Sequence, residues 1–189
     1  MNRLAAALLI LLLALALAAP ALAAKPKVGD VLADPTAKVE LKPADAAALG
    51  LPAGVSSIRL SQIKAEAIFV KVYSLYCPRC QSDAPKVNRV FERLKATPKA
   101  KNLALLALAA GDTPFEVDFF RKKFQAPMPM MPDTDYVLHK ALLSVGAPSY
   151  FVLRPLPGGK GLKVLFFLEG AFEDENAFFD NVLRAIAPK

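Results

Sequence analysis

The 189-residue chain is 54% hydrophobic, enough for one domain with a full core. Its formal charge of +7 comes from lysines and arginines scattered along the sequence, without the dense basic run or aromatic interleaving of a nucleic-acid reader. Nucleic acid is therefore excluded as a partner, and the charge reads as a solvated basic surface that favours acidic partners or an anionic membrane face.

Asn2 and Arg3, the uncharged run Leu4 to Ala19, then Pro20 and Ala21-Leu22-Ala23 have the three regions of a secretory leader. Residues 1–24 are read as that leader, cleaved after Ala23 or Ala24. The alternative is an uncleaved anchor, since Leu4 to Ala24 approaches the roughly 20 residues that span a bilayer. Either way the rest of the chain is expected in a periplasmic or other extracytoplasmic space, where a disulfide persists.

Residues 25–56 are rich in Pro, Ala and Gly and read as a lead-in, with a strand candidate at Lys38 to Leu41 and a helical turn at Asp45 to Leu49. The domain proper is read as residues 57–189. Ser57 to Leu60 alternates weakly, and Ser61 to Ala65 forms a turn. Ala67 to Tyr73 is β-branched and aromatic with almost no polar break, as in a central parallel strand covered on both faces. A helix follows from Pro78 to Leu94, with Val87, Val90, Phe91 and Leu94 as its apolar stripe and a kink at Pro85.

Leu103 to Ala109 reads as a second buried strand. Thr113-Pro114-Phe115-Glu116 is a capping box that starts a helix ending before Pro127. Pro127 to Pro132 suits an edge strand or an extended loop. Asp133 to Val145 reads as a helix closed by a left-handed Gly146. Ser149 to Leu153 and Leu162 to Leu168 flank a Pro/Gly turn and form an antiparallel hairpin, and Asp174 to Ala187 is a last amphipathic helix. The order predicts an α/β fold: a central mixed sheet with helices on both faces.

The chemistry centres on Cys77-Pro78-Arg79-Cys80, which holds both cysteines of the chain. Three residues apart on a first helical turn, they share one face and can form a disulfide. Free N–H groups and the positive end of the helix dipole stabilise an anion there, which favours a thiolate on Cys77. Pro78 suits the first helical position, and Arg79 adds a positive charge beside the same sulfur. Cys77 is read as the attacking thiol and Cys80 as the resolving one.

Four other readings compete. A purely structural bridge would close a loop of four residues, which adds only roughly 2 kcal/mol. A zinc site needs two more ligands, and His139 is the sole histidine. Copper accepts soft thiolates with fewer ligands, so a copper module built on Cys77 and Cys80, with or without His139, is the alternative function. Inert buried thiols fit an exported protein poorly.

With strand, Tyr76-Cys77-Pro78-Arg79-Cys80, kinked helix and Ala147-Pro148 before the hairpin, the chain resembles the thioredoxin superfamily, in particular its secreted TlpA/ResA-like thiol:disulfide oxidoreductases. The resemblance implies a three-layer thioredoxin-like fold, with residues Gly111 to Pro132 as a TlpA-like helical insert. It implies that Pro148 follows a cis peptide bond beside the cysteines. Ala147, Tyr76, Pro78 and Arg79 would then line the groove for a partner's extended chain. Asp83 stands where the family often carries an acid that could relay protons to Cys80, and Pro85 matches its helix proline.

The chain departs from that pattern at two places. Tyr76 replaces the usual tryptophan, and Lys71 stands where thioredoxins bury an acid. A buried Lys71 would favour a Cys80 thiolate or pair with Asp83; an exposed one would merely extend its amine out of the strand. The implied activity is thiol:disulfide exchange, without a diffusible cofactor, on protein dithiols or disulfides. A redox-recycling protein, for which the membrane is one location, would serve as second partner. Pro78-Arg79 points to an oxidant, whereas the surrounding fold resembles reductases. A peroxidase is a weaker option, because Val70 and Ser74 replace the proline and threonine of peroxiredoxin-like proteins.

Overall fold

The computed structural model describes residues 25–187, so the leader assigned to residues 1–24 lies outside the described residues. No helix among the described residues is long and apolar enough to cross a membrane. The strands are β1 (Val31–Leu32), β2 (Ala37–Lys38), β3 (Ser57–Ile58), β4 (Ala67–Tyr73), β5 (Leu103–Ala110), β6 (Met130–Asp133), β7 (Ser149–Pro155) and β8 (Leu162–Glu169). The helices are α1 (Pro43–Ala48), α2 (Pro78–Ser82), α3 (Ala84–Ala96), α4 (Pro114–Phe124), α5 (Val137–Ala141) and α6 (Glu175–Ile186).

The main sheet has the order β1-β8-β7-β4-β5-β6, and β2 pairs with β3 in a small separate ribbon. β4 is central, as its run, apolar but for Lys71, leads one to expect. It runs parallel to β5 and antiparallel to β7, so the expectation of a parallel strand holds on one side only. β5 runs parallel to β6, and β7 runs antiparallel to β8, giving the mixed sheet. Pro132 sits in β6 at the sheet's edge, where its missing N–H leaves no ladder partner unmatched.

Alternation along β4 divides the core. Ile68, Val70 and Val72 face one layer with Leu106, Leu108, Phe151 and the α5 residue Leu138. The lead-in joins that layer through Ala37, Val39, Ala46 and Leu49. Ala67, Phe69 and Tyr73 face the other, with Val87, Phe91 and Leu94 of α3, Phe120 of α4 and Phe178 and Val182 of α6. Phe178 anchors this second layer, stacked on Phe172 at 4.0 Å and edge-on to Tyr150 at 5.0 Å.

Four expectations need correction. The helix expected from Pro78 to Leu94 is two helices that part at Asp83, because the Pro85 ring cannot lie against the carbonyl four residues back. The strand expected at Lys38 to Leu41 is only Ala37–Lys38, paired with Ser57–Ile58. The helix expected from Asp133 to Val145 contracts to Val137–Ala141. Asp133 completes β6, and its carboxylate accepts the N–H groups of Leu138 (3.2 Å) and His139 (2.7 Å). Gly146 is not the left-handed cap; Leu143 and Ser144 take that conformation, at φ 63° and 50°.

Candidate active site

β4 ends one residue before a tight loop, and α2 begins where that loop delivers Cys77. Cys77 is the N-cap residue: its Sγ accepts the Cys80 N–H at 3.1 Å, and Pro78 occupies the first turn, where no N–H is needed. The same Sγ lies 3.3 Å from the Ala147 carbonyl, to which its thiol donates. The Ala147-Pro148 peptide is cis. Cys77, Cys80 and the loop before β7 therefore meet, although about 70 residues separate them in sequence.

The two sulfurs differ in access. Cys77 is partly exposed and Cys80 is buried, and both are free thiols. Burial, with a hydrogen bond to Cys77, pushes the Cys80 thiol up to about 12. One sulfur is thus reachable from solvent, and the other is held as a thiol behind it.

Asp112, which follows β5, was not singled out from the sequence. It is 1% exposed; its carboxylate accepts the Ser74 hydroxyl at 2.8 Å and the Leu75 N–H at 2.7 Å. It therefore fixes the loop that carries Cys77. Burial raises its pKa despite those bonds. A signal was present: Asp112 is the first charge after the apolar run that begins at Leu103. Gln81 adds a second hold on the loop, donating to the Leu75 carbonyl at 2.7 Å.

Glu169 supports the opposite wall. It accepts the Gly146 N–H at 2.9 Å and pairs with Lys25 at 2.5 Å, while Gly170 N–H donates to the Pro148 carbonyl at 2.8 Å. The groove residues are open to a partner. Tyr76 is 72% exposed, and its hydroxyl donates to Glu116 on α4. Arg79 is also exposed, and its Nε approaches Asp83 Oδ2 at 3.6 Å. That is too long for a hydrogen bond, so Oδ2 is buried without a donor.

Lys71 is buried, on the same face of β4 as Phe69 and Tyr73 and toward the cysteines. It does not pair with Asp83. His139 is used elsewhere: its Nε2 lies 2.8 Å from the Val145 carbonyl. No group of three His, Cys, Asp or Glu residues able to hold a metal occurs among the described residues, so Cys77, Cys80 and His139 do not form the three-ligand copper site of the alternative reading. The peroxidase positions are also engaged otherwise. Val70 packs into the layer on the far side of the sheet, and Ser74 serves Asp112.

The AhpC/TSA family model matches residues 32–157, more than half of the chain. The chain belongs to the AhpC/TSA family. No curated protein matches the sequence. Among solved structures, a Chlorobium tepidum protein described as a thiol:disulfide interchange protein, DsbE, is 16% identical with a TM-score of 0.61, over 85% of this chain and 100% of its own. StoA from Bacillus subtilis is 13% identical with a TM-score of 0.56, over 80% and 98%. A secreted Mycobacterium tuberculosis disulfide oxidoreductase homologous to Escherichia coli DsbE is 14% identical with a TM-score of 0.53, over 68% and 89%. At these identities the likeness establishes the fold: this AhpC/TSA member is thioredoxin-like, with a mixed sheet between helical layers.

Proposed function

We propose that this AhpC/TSA-family chain is a thiol:disulfide oxidoreductase that acts on protein partners outside the cytoplasm through Cys77 and Cys80. The observation that carries the reading is the position of Cys77 Sγ, between the Cys80 N–H at 3.1 Å and the Ala147 carbonyl at 3.3 Å, with Cys80 buried behind it. A partner's extended chain can lie along Ala147 and Pro148 and bring its own sulfur to Cys77. In reduction, the Cys77 thiolate attacks a partner disulfide, and Cys80 then attacks Cys77 to release the partner as a dithiol. Oxidation is the reverse sequence.

Tyr76, Pro78, Arg79 and Ala147 are assigned to the groove, and Asp83 to proton exchange with Cys80. Export on residues 1–24, with residues 57–189 as the catalytic unit, completes the proposal. The secreted and DsbE-like character given for similar structures supports it. A second, redox-recycling protein restores the pair after each turnover.

The test is disulfide exchange with Cys→Ser variants. Cys77→Ser should abolish exchange, and Cys80→Ser should accumulate a partner mixed disulfide on Cys77. Exchange that survives Cys77→Ser would end the proposal. The mass of the exported protein's N-terminus tests cleavage after Ala23 or Ala24.

A further inference from the structure

Among the described residues, Lys71 is the buried lysine, 2% exposed in the centre of the sheet. No carboxylate among the described residues forms an ion pair with it. Its Nζ lies over two rings, 5.4 Å from the centroid of Tyr73 and 5.5 Å from that of Phe120. These rings offer only weak compensation for a desolvated cation.

The groups that face Lys71 are Tyr73 on β4 and Phe120 on α4, Tyr150, its cross-strand partner on β7, and Cys80 on α2, Cys77 at its N-cap and Asp83 at the break after it. Tyr73 Oη, Tyr150 Oη and Asp83 Oδ2 are all buried without a hydrogen-bond partner. Asp83 already faces the Arg79 guanidinium. The other groups that hold the amine's pKa up against burial are the sulfurs of Cys80 and then Cys77, ahead of Asp83.

Only the reduced pair offers a sulfur that can ionise beside the amine, since the disulfide is neutral. The amine can therefore gain a counter-charge in one redox form and not in the other. We propose that Lys71 biases the Cys77/Cys80 couple toward its reduced form, so that the protein works as an acceptor of electrons from partner dithiols.

The step balances as follows. A partner thiolate attacks Cys77 Sγ, the Cys77–Cys80 bond breaks, and its electron pair leaves on Cys80 beside Lys71. The partner's second thiolate then attacks its own sulfur in the mixed disulfide and frees Cys77. The partner has gained a disulfide, two electrons have passed to the pair, and the partner's two protons end on the pair or in solvent. A disulfide-bearing recycling protein takes the electrons onward. Burial lowers the amine to about 8, against the pull of Cys80 and Cys77, as this placement requires.

The inference rests on the exchange reading, and one experiment separates them: equilibration of the mature protein with glutathione, for wild type, Lys71→Met and Lys71→Gln, from pH 6 to pH 10. The methionine keeps the length of the side chain without its charge. In both variants the equilibrium constant for reduction should fall at least tenfold at neutral pH, about 30 mV for a two-electron couple. The gap should narrow as pH rises past about 8, where the amine of the dithiol form loses its proton. Constants unchanged within about twofold, or raised, with pairs that still cycle, would overturn the role of Lys71 and leave exchange standing. A wild-type pair that does not cycle would overturn both.

Discussion

The Asp112 carboxylate, just beyond β5, holds the backbone N–H of Leu75, just beyond β4, at 2.7 Å. The two residues are 37 apart in sequence, just past the ends of neighbouring parallel strands. The loop that presents Cys77 is thus fixed by a buried acid from the next strand.

Asp112→Ala should leave the Leu75 N–H and the Ser74 hydroxyl without their acceptor. Each such buried group costs about 1–3 kcal/mol, so a fall of about 3 kcal/mol in urea-denaturation stability is expected, together with slower exchange per folded molecule. Asp112→Asn retains one acceptor oxygen and should lose less. Equal losses for the two variants would mean that the carboxylate is not the loop's anchor.

Gly111 has φ 77°, and a Cβ there would lie 2.0 Å from Tyr136 Oη and 2.1 Å from its ring carbon Cζ. Gly111→Ala therefore meets both backbone strain and a ring that must move. A loss above about 1 kcal/mol is expected. Adding Tyr136→Ala should recover the steric part and leave the strain. If the second change recovers nothing, the ring is not the obstacle.

Arg121 on α4 reaches Asp45 on α1 at 2.6 Å and the Met128 carbonyl at 3.0 Å, joining lead-in to insert. Asp45→Ala would leave the guanidinium in a largely buried site. A loss of about 3 kcal/mol is expected, near the low end for buried pairs, since Arg121 keeps some solvent contact. Asp45→Ala with Arg121→Met should cost less than Asp45→Ala alone. A double variant that fares worse would show that the arginine contributes by itself.

The pH profile follows from two opposed groups of acids. Asp118 is held at about 2 by Lys122 and then Lys42. Glu116, Glu169 and Glu175 are lowered, first by the Thr113 N–H, Lys25 and Arg89 respectively. Their folded pKa values lie below the unfolded ones, so their contribution is present above about pH 4 and lost as pH falls toward 2. Asp45 and Asp112, raised by burial, favour the folded state as they take up protons. The urea midpoint should drop below about pH 4, and less steeply in high salt, because the lowered acids are partly open to solvent. A midpoint that rises steadily toward pH 2 would show that the buried acids dominate.

The main strands were legible because their signals are local. Ala67 to Tyr73 is apolar except for Lys71, and Thr113 with Glu116 forms the expected capping box. β1 was not legible: two residues carry no periodicity, and Val31–Leu32 becomes a strand only by meeting Leu162 and Lys163. The stretch after Asp133 misled for a related reason. Its apolar spacing suits a helix, but the Asp133 carboxylate starts α5 late, and Gly146 is held by Glu169 from β8. At the site, the cysteines could be read from their type and spacing, and Pro148 from the family resemblance. Asp112 and Glu169 act through distant partners, and the burial of Lys71 depended on neighbours that the strand itself does not name.

A lysine enclosed beside a redox pair has a consequence for the whole molecule. Unfolding releases the amine to water, where the state of the two sulfurs no longer matters to it. Whatever preference Lys71 gives the folded protein for one redox form must reappear as a difference in how firmly the two forms stay folded. On the assignment made above, the dithiol protein melts at the higher temperature and the disulfide protein at the lower. Heat would then report the oxidation state of this chain, and a cross-link that normally tightens a fold would loosen this one.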